Sequence, residues 1–277
     1  MRLLFITQAV DLDDPVLSFA HSWVRELSGQ FEQIAVICLK QGRYSMPANV
    51  AVHSLGKELK RSRGMYVWRF FKYVWKMRND YDAILVHQNQ EYILLGGWLW
   101  RLLGKRVYLW RNHYAGGILT NLASAFCHKV FCTSHFSYTA RFRKTVLMPV
   151  GVDTDVFHPE PTRQRKGTLL SLGRIAPSKR LEVILEAIKS LRDRGLILRT
   201  DIYGDALAKD ASYAERLRRF VRENKLDQFV SFFPGVPNTE TPQIFSSHEI
   251  FVNCAGSGMY DKTVFESCAT GSLTFAS

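Results

Sequence analysis

Short apolar runs recur along the first half of the chain, separated by polar turns and by segments with helical spacing. The runs are rich in β-branched and aromatic residues, which is typical of strands. Residues 18–29, SFAHSWVRELSG, space their apolar side chains as a helix does and end on a glycine, as many helices do. Strands that alternate with helices predict βαβ units and a mainly parallel sheet covered on both faces. The predicted strands are 2–7, 33–39, 51–55, 82–87, 106–110, 129–133 and 145–149.

The same pattern begins again after residues 151–166, a polar and proline-containing segment that we interpret as a linker. The sequence therefore predicts an α/β protein with two Rossmann-like domains and parallel sheets, residues 1–155 and 156–277, with a helix at 178–195. The second sheet has about five predicted strands where a doubly wound domain commonly has about six. We expect the second domain to be truncated at its C-terminus, because the natural protein is short or because the chain is a fragment. The predicted strands are 168–173, 198–204, 229–235, 249–256 and 272–277.

Composition is that of an ordinary globular protein, with 47% hydrophobic and 22% charged residues, and it excludes a largely disordered chain. The net charge of +12 favours acidic partners, namely nucleic acid, an anionic membrane or a phosphorylated substrate. No nucleic-acid-binding motif is found, so nucleic acid is not an expected partner. The five cysteines form no CxxC pair, and neither a secretion signal nor a membrane-spanning apolar stretch is found, which predicts a cytoplasmic protein.

The first candidate site is the segment SLGRIAPSKR, residues 171–180, in which a predicted strand ends at Gly173 and a helix follows. Ser178 is expected to cap that helix, which places Lys179 in its first turn. Ligands of parallel sheets bind beyond the carboxyl ends of the strands, so Arg174 and Lys179 are expected to face a cleft. Two cations beside a helix N-terminus suit a diphosphate. The alternative is a solvated turn rich in Lys and Arg.

The second candidate site is GSGMYDKTVFES, residues 256–267, which differs at one position from the P-loop pattern G-x-x-x-x-G-K-[ST]. Asp261 stands where the P-loop has its second glycine, so a nucleoside triphosphatase is the less favoured interpretation. The backbone amides of Lys262 and Thr263 are expected to open a helix, whose dipole attracts an anion. Glu266 lies one turn later on the same face and can accept hydrogen bonds from a ribose diol. The alternative is that Lys262 and Glu266 form only a surface ion pair.

The order and spacing of these segments resemble the family 4 glycosyltransferases, retaining enzymes with two Rossmann-like domains in the GT-B arrangement. The resemblance covers most of the chain and is carried by PVGVDTDVF, SLGRIAPSKRLEVILEAI, IYGDA, VSFFPGVPNTE, HEIFVNCAG and DKTVFESCATGSLTFAS. It implies that Arg174 and Lys179 bind the diphosphate of a nucleotide-sugar donor, with Gly173 in the same turn. It also implies that Glu266 binds the ribose of that donor.

The resemblance extends to the nucleobase and departs from the family at the donor sugar. Val236 and Pro237, in the GVP after a predicted strand, match the stretch that lines the nucleobase pocket in the family. The first acid of the family's E-x7-E motif, which holds the hydroxyls of the donor sugar, falls on Gly258. Asp261, three residues later, is expected to take over that contact.

Three histidines of the first half are candidates for contact with the donor sugar or the acceptor. His113, in LWRNHY, follows a predicted strand, and in related enzymes a histidine in this region contacts the donor sugar or the acceptor. His87 ends the predicted strand DAILVH, and His21 lies in the first helix. The alternative for each is a structural histidine. We expect His113 to be catalytic together with Arg174 and Lys179, which stabilise the leaving diphosphate.

Two D-x-D strings, Asp11/Asp13 and Asp153/Asp155, have the spacing of a Mg²⁺ or Mn²⁺ site for a diphosphate. Both lie in predicted turns, and we interpret them as turn and cap residues. The family that the chain resembles needs no metal. The sequence therefore predicts no metal site and no cofactor, with a UDP- or GDP-linked sugar as the donor substrate.

Residues 57–78, KELKRSRGMYVWRFFKYVWKMR, combine a basic stripe with tryptophans on its border when they are spaced as a helix. Such a stripe suits an anionic lipid leaflet. The alternative is an outer helix of the first sheet with a solvated basic face. The stripe contains Arg61, Arg69, Lys72 and Lys76, its border Trp68 and Trp75, and the opposite side Val67, Phe70, Phe71 and Val74.

Together these features predict a retaining, metal-independent glycosyltransferase that moves a sugar from a nucleotide-sugar donor to a glycan or lipid-linked acceptor. The protein is expected in the cytoplasm, peripheral at the inner face of the membrane. The alternative is a non-catalytic relative that binds a nucleotide sugar without turnover, which Gly258 and the short C-terminus favour.

Overall fold

Both halves of the chain form parallel β-sheets in the computed structural model. The chain divides into two units, Met1–Pro149 and Val150–Ser277. The domain boundary predicted at position 155 therefore falls inside the second unit, and positions 161 and 163 of the predicted linker lie outside the described residues. The structure describes residues 1–14, 17–160, 162, 164–256, 258 and 260–277.

The first unit is a parallel sheet whose strands match those predicted from the apolar runs. The strands are β1 (Arg2–Val10), β2 (Gln33–Gln41), β3 (Val50–Ser54), β4 (Ala83–His87), β5 (Arg106–Trp110), β6 (Lys129–Cys132) and β7 (Thr145–Leu147). They pair in the order β3-β2-β1-β4-β5-β6-β7. This is the strand order of a doubly wound, Rossmann-like sheet with one further strand at its edge.

Helices cover both faces of this sheet. They are α1 (Phe19–Ser28), α2 (Arg63–Lys76), α3 (Glu91–Leu102) and α4 (Ile118–Phe126). Successive residues of a strand point to opposite faces, so neighbours in β1 enter two different cores. Phe5 packs in the core that includes Val24 of α1. Ile6 packs in the core that includes Phe70 of α2, together with residues of α3 and α4.

Two adjacent glycines allow α3 to pack closely between α2 and α4. A Cβ atom added at Gly96 would lie 3.1 Å from the ring of Phe70 on α2, and one added at Gly97 would lie 2.9 Å from Phe126 on α4. The apolar run YILLGGWLW is therefore the middle helix of a three-helix layer, in which Trp100 is fully buried. Among the described residues, none of the helices has the length and apolar character needed to cross a membrane.

The basic segment forms α2, and its faces largely follow the predicted helical spacing. The helix begins after Ser62, whose hydroxyl accepts a hydrogen bond from the Met65 amide at 3.3 Å. The outer side carries the exposed Trp68 and Trp75, and the inner side carries the buried Phe70 and Val74.

Two side chains of α2 depart from the predicted faces. Val67 was expected on the apolar side, but it is 39% exposed because it lies on the flank of the helix and not over the sheet. Arg69 was expected on the basic stripe, but its guanidinium donates a hydrogen bond to the Tyr73 hydroxyl at 2.9 Å and so follows the helix surface. Without Arg69, the stripe of basic side chains that extend into solvent is narrower than predicted.

The second unit is also a parallel sheet flanked by helices, but its sheet is smaller. Its strands are β8 (Arg165–Leu172), β9 (Arg199–Tyr203), β10 (Val230–Phe233), β11 (His248–Asn253) and β12 (Leu273–Ala276), in the order β10-β9-β8-β11-β12. Its helices are α5 (Leu181–Asp193), α6 (Ala211–Glu223), α7 (Thr241–Ser246) and α8 (Lys262–Ala269). Leu169 of β8 packs against α5 and α6, whereas Leu170 packs on the other face, against α7 and α8.

Each sheet has a point at which the strand order reverses. In the first unit it lies between β1 and β4, and in the second unit between β8 and β11. Connections leave the two central strands towards opposite sides, which opens a crevice at their carboxyl ends where α/β proteins bind ligands. The predicted fold class, α/β with two Rossmann-like parallel sheets, is confirmed.

We expect Gly97→Ala to destabilise the first unit, because the new methyl group would overlap Phe126. Overpacking of this kind typically lowers the free energy of unfolding by about 1–3 kcal/mol. Gly64→Ala in α2 is the matched control, because a Cβ atom there meets nothing within 4 Å. Helix propensity alone predicts that the control is stabilised by up to about 1 kcal/mol. Urea unfolding of both variants measures the difference, and equal effects would contradict the tight α3–α4 contact.

Candidate functional site

The candidate site lies at the strand-order reversal of the second unit. The turn after β8 and the turn after β11 leave neighbouring strands at the same edge of the sheet. A small cleft there is lined by Gly173, Arg174 and Lys179 from the first turn and by Asn253 from the end of β11. The structure thus brings the residues predicted from SLGRIAPSKR to the edge where a ligand of this fold binds.

A close contact between two glycines fixes the turn after β8. A Cβ atom at Gly204 would lie 1.9 Å from the carbonyl oxygen of Gly173, so no other residue fits there without moving the backbone. The amide of Gly173 donates to the carbonyl of Tyr203 at 3.0 Å, and the amide of Ile175 donates to the carbonyl of Asp205, also at 3.0 Å. The turns after β8 and β9 are therefore joined through their main chains.

The helix that follows this turn starts later than predicted. Ser178 does not cap it, because Pro177–Lys179 form a 3₁₀ turn and Arg180 adopts a left-handed conformation with φ 49°. The first residue of α5 is Leu181. Lys179 therefore precedes the helix, and its ammonium group extends across the cleft towards α8.

The two predicted sites meet in an ion pair between Lys179 and Asp261. The Lys179 ammonium donates a hydrogen bond to the Asp261 carboxylate, and both side chains are half-buried. Asn253 donates its side-chain amide to the same carboxylate at 2.9 Å, and the Thr263 hydroxyl donates to it at 3.0 Å. Arg174, by contrast, is exposed, and its side chain has no hydrogen bond or ion pair within the described residues.

Asp261 also caps α8, which changes the predicted role of the helix N-terminus. Its carboxylate accepts a hydrogen bond from the Thr263 amide at 3.4 Å, so a carboxylate of the protein occupies the place expected for a ligand anion. Burial alone would raise the pKa of Asp261. The charge of Lys179 and the hydrogen bonds from Lys179, Asn253 and Thr263 outweigh burial and hold that pKa below its ordinary value of 3.8.

Lys262 and Glu266 form an ion pair that is not a surface feature. The Lys262 Nζ atom lies 2.8 Å from Oε1 of Glu266, and the Glu266 residue is only 2% exposed. The interpretation as a surface pair is therefore wrong. Oε1 of Glu266 has no hydrogen bond of good geometry within the described structure, although buried polar atoms are nearly always hydrogen-bonded. This oxygen keeps capacity to accept a hydrogen bond from a ligand.

Gly258 lies in the turn before α8, exposed and with φ 62°, a conformation that favours glycine. The guanidinium of Arg180 approaches the same turn, because a Cβ atom at Gly256 would lie 3.6 Å from it. Sequence reasoning did not single out Arg180 or Asn253. The position of Asn253 at the end of an apolar strand was a usable signal, whereas the left-handed backbone of Arg180 has no sequence signature.

Val236 and Pro237 follow β10, on the far side of β9 from β8, and both are half-buried. The turn that carries them is tied to the turn after β9, because the Gly235 amide donates to the Asp205 carboxylate at 3.2 Å. They therefore lie at the same edge of the sheet as Arg174, two strands away.

The three histidines of the first unit have different environments. His113 is exposed in the turn after β5, and its Nδ1 lies 3.0 Å from the Ala115 amide and 3.3 Å from the Ala115 carbonyl. His87 is buried, with Nδ1 3.1 Å from the Thr7 hydroxyl, and burial lowers its pKa to about 4. His21 accepts a hydrogen bond from the Ser45 amide at 3.1 Å. His87 and His21 are therefore buried residues with hydrogen bonds inside the first unit.

The acidic pairs make contacts within the protein. Asp11 pairs with Lys40 at 2.9 Å, and Asp13 pairs with Arg43. Asp153 accepts a hydrogen bond from the Asp155 amide at 3.1 Å, as in a turn. Within the described ranges, no group of three or more His, Cys, Asp or Glu side chains is arranged to hold a metal ion.

The Lys179–Asp261 pair predicts a specific pH dependence of stability. Because the pKa of Asp261 is lowered in the folded state, its ionised form stabilises the fold above pH ~3.8, and this stabilisation is lost as the pH falls through the folded-state pKa. At pH 7 we expect Asp261→Asn to lower the free energy of unfolding by on the order of 1 kcal/mol. Urea unfolding between pH 6 and 3 should show the difference shrink. Asp227→Asn, an exposed control, should show no such trend.

The second unit is similar in sequence to known glycosyltransferases. Residues 153–276 match the family model described as Glycosyl transferases group 1. A curated relative, the GDP-mannose-dependent alpha-(1-6)-phosphatidylinositol monomannoside mannosyltransferase of Mycobacterium tuberculosis, is 29% identical over 125 residues. The aligned part is 40% of this chain and spans less than a third, 31%, of that relative.

Solved glycosyltransferase structures share the fold over the whole chain. HepE of Anabaena, solved with UDP and glucose, has a TM-score of 0.77 at 16% identity, with 100% of this chain and 80% of that chain covered. Sucrose-phosphate synthase of Thermosynechococcus elongatus has a TM-score of 0.78 at 14% identity, with 100% and 81% covered. The chain has the fold of these GT-B glycosyltransferases, and its residues 153–276 are similar to the glycosyl transferases group 1 family.

Proposed function

We propose that the chain transfers a glycosyl group from a nucleotide-activated sugar to an acceptor. The observation that carries this proposal is the pair of cations, Arg174 and Lys179, at the strand-order reversal of a glycosyl transferases group 1 domain. Arg174 is free to bind an anion, and Lys179 lies within the same cleft. Two cations at the carboxyl ends of parallel strands suit the diphosphate of a nucleotide sugar.

The donor is proposed to lie along the carboxyl edge of the second sheet. Arg174 and Lys179 bind the diphosphate, beside the turn at Gly173. Glu266 accepts a hydrogen bond from the ribose through its buried Oε1, once Lys262 moves aside or bridges to the phosphate. Relatives with this fold have been solved with UDP, and the mannosyltransferase relative uses GDP-mannose, so a UDP- or GDP-linked sugar is the expected donor.

The far end of the nucleotide is proposed to reach Val236 and Pro237, which line the nucleobase side of the site. No metal is required in this proposal, because the two cations stabilise the negative charge that develops on the leaving diphosphate. We propose retention of anomeric configuration by analogy with the family that the sequence resembles, and no side chain is assigned as a nucleophile. His113, exposed in the turn after β5, is proposed to contact the donor sugar or the acceptor.

Asp261 is proposed to read the hydroxyls of the donor sugar in place of the acid that is absent at Gly258. In the structure it is bound to Lys179. A diphosphate would compete for that lysine, which would free carboxylate oxygens for sugar hydroxyls. Thr263 and Asn253 hold the carboxylate at the edge of the cleft during such an exchange.

The acceptor is proposed to be a glycan or a lipid-linked molecule at the inner face of a membrane. The named substrate of the mycobacterial relative is a phosphatidylinositol mannoside. In the first unit, residues 57–78 include α2, where Trp68 and Trp75 are exposed and Lys72 lies 4.9 Å from the Trp68 ring. Cations beside tryptophans suit an anionic headgroup region.

A second candidate function is binding of a nucleotide sugar without turnover. The observation that favours it is the Lys179–Asp261 pair, which neutralises one of the two cations, together with glycine at 258. Binding without hydrolysis or transfer, across a panel of donors and acceptors, would support this function over the first.

We expect Arg174→Ala to lower turnover of the preferred donor. Loss of one charge-assisted hydrogen bond of about 1.5–3 kcal/mol corresponds to a fall in kcat/KM of about 10- to 150-fold. Hydrolysis or transfer with a panel of UDP- and GDP-sugars provides the measurement. Arg194→Ala, an exposed arginine at the end of α5, is the matched control and should leave kcat/KM unchanged. EDTA should also have no effect, and equal losses in both variants would refute the diphosphate site.

Asp261→Asn separates the sugar contact from the diphosphate contact. With the carboxylate charge removed, Lys179 is freed and the bare nucleoside diphosphate should bind more tightly, by about fivefold or more. The corresponding nucleotide sugar should lose part of its advantage over the bare diphosphate, because the carboxylate acceptor of the sugar hydroxyls becomes a neutral amide, whose hydrogen bonds are weaker. Calorimetric titration of both ligands into wild type and variant gives the two ratios. Weaker binding of the bare diphosphate would contradict the proposed competition.

A further inference from the structure

The outer side of α4, in the first unit, exposes a run of large aliphatic side chains. Ile118 is 84% exposed, Leu119 58% and Leu122 49%. The sequence of α4, ILTNLASAF, contains no charged residue, so no charged side chain of the helix interrupts the aliphatic run. Single exposed apolar residues are ordinary on protein surfaces, but a contiguous set on one helix indicates a binding surface.

A fixed arginine adjoins this aliphatic run. The Arg141 guanidinium lies over the Tyr138 ring, 3.6 Å from its centroid, and donates a hydrogen bond to the side-chain carbonyl of Asn121 on α4 at 3.2 Å. The cation is therefore held against the helix and does not extend freely into solvent. We call Ile118, Leu119, Leu122, Arg141 and Arg143 the α4 surface.

A cationic depression lies between α4 and the segment before β7. It has a volume of about 500 Å³, and its walls include Ala125, Phe142 and Arg143. Lys144 closes one end, where its ammonium donates to the carbonyls of Ser124 and Cys127 at 2.9 and 2.7 Å. Arg143 is exposed, and its side chain makes no hydrogen bond or ion pair within the described part of the chain. A phosphate that enters the depression would meet Arg141 and Arg143.

The charged residues of the segment that contains the α4 surface are all basic. Residues 92–152 contain eight Lys or Arg and no Asp or Glu. This range includes most of α3, all of α4 and the depression. The carboxylates that flank this range in sequence are Glu91, which is exposed at the start of α3, and Asp153, so the excess of positive charge belongs to residues 92–152 themselves.

We propose that the α4 surface binds an anionic phospholipid bilayer. The aliphatic side chains enter the boundary of the acyl chains, while Arg141 and Arg143 contact lipid phosphates at the level of the headgroups. Exposed aliphatic side chains favour lipid over nucleic acid, whose binding surfaces use aromatic and polar side chains for stacking and hydrogen bonding. The site is separate from residues 57–78 and does not depend on the proposed glycosyl transfer.

The test is flotation of the full chain with vesicles of phosphatidylcholine alone or mixed with phosphatidylglycerol, at about 0.15 M salt. Wild type should bind the anionic vesicles about tenfold or more tightly than the neutral ones. The double variant Ile118→Ser/Leu122→Ser should weaken that binding about tenfold or more, because its apolar contact is removed. Arg143→Ala should weaken it about fivefold.

A matched control uses two aliphatic residues of the second unit with similar exposure. Leu196 and Ile197 are 58% and 61% exposed, and Leu196→Ser/Ile197→Ser should leave vesicle binding unchanged. Because all four positions are on the surface, thermal unfolding should be similar for both double variants, which excludes misfolding as the cause of a loss.

Three outcomes would overturn the proposal. The first is failure of wild type to bind anionic vesicles. The second is equal binding of anionic vesicles by Ile118→Ser/Leu122→Ser and by its control. This includes the case in which Trp68→Ser/Trp75→Ser abolishes vesicle binding and the α4 variant does not. The third is tight binding of single-stranded RNA that survives Ile118→Ser/Leu122→Ser and displaces the chain from vesicles.

Discussion

The ion pair between Lys179 and Asp261 holds the candidate site together. Lys179 belongs to the turn after β8, and Asp261 starts the helix after β11, so the pair spans the point at which the strand order reverses. The same carboxylate caps α8 and accepts hydrogen bonds from Asn253 and Thr263. One acidic side chain therefore sets the helix start, the position of a lysine and the charge of the cleft.

The fold could be predicted from the sequence because its strands are local apolar runs of regular period. The run EIFVN, for example, becomes β11, and the polar Asn253 at its end lies where the cleft begins. The positions of Arg174, Lys179 and Asp261 near one edge followed from the rule that parallel strands share a carboxyl edge.

The details that escaped prediction depend on contacts distant in sequence or on backbone conformation. Because Arg180 adopts a left-handed conformation, α5 begins at Leu181 and Lys179 lies before the helix. This conformation cannot be recognised from the residue type. Glu266 has the spacing of a surface pair with Lys262, yet it is buried, because α8 packs against a core formed with Phe157. Helical spacing gives the face of a residue but not what covers that face.

The contact of Gly204 with Gly173 has a consequence for ligand entry. Because the two turns leave no room for a side chain at Gly204 and are joined by main-chain hydrogen bonds, we expect the floor of the cleft to keep one shape whether it is empty or filled. Side chains would then adapt the cleft to different ligands, chiefly Arg174, whose side chain has no hydrogen bond or ion pair within the described residues. The conformational entropy lost on association should accordingly be that of a few rotamers, with little contribution from reordering of loops.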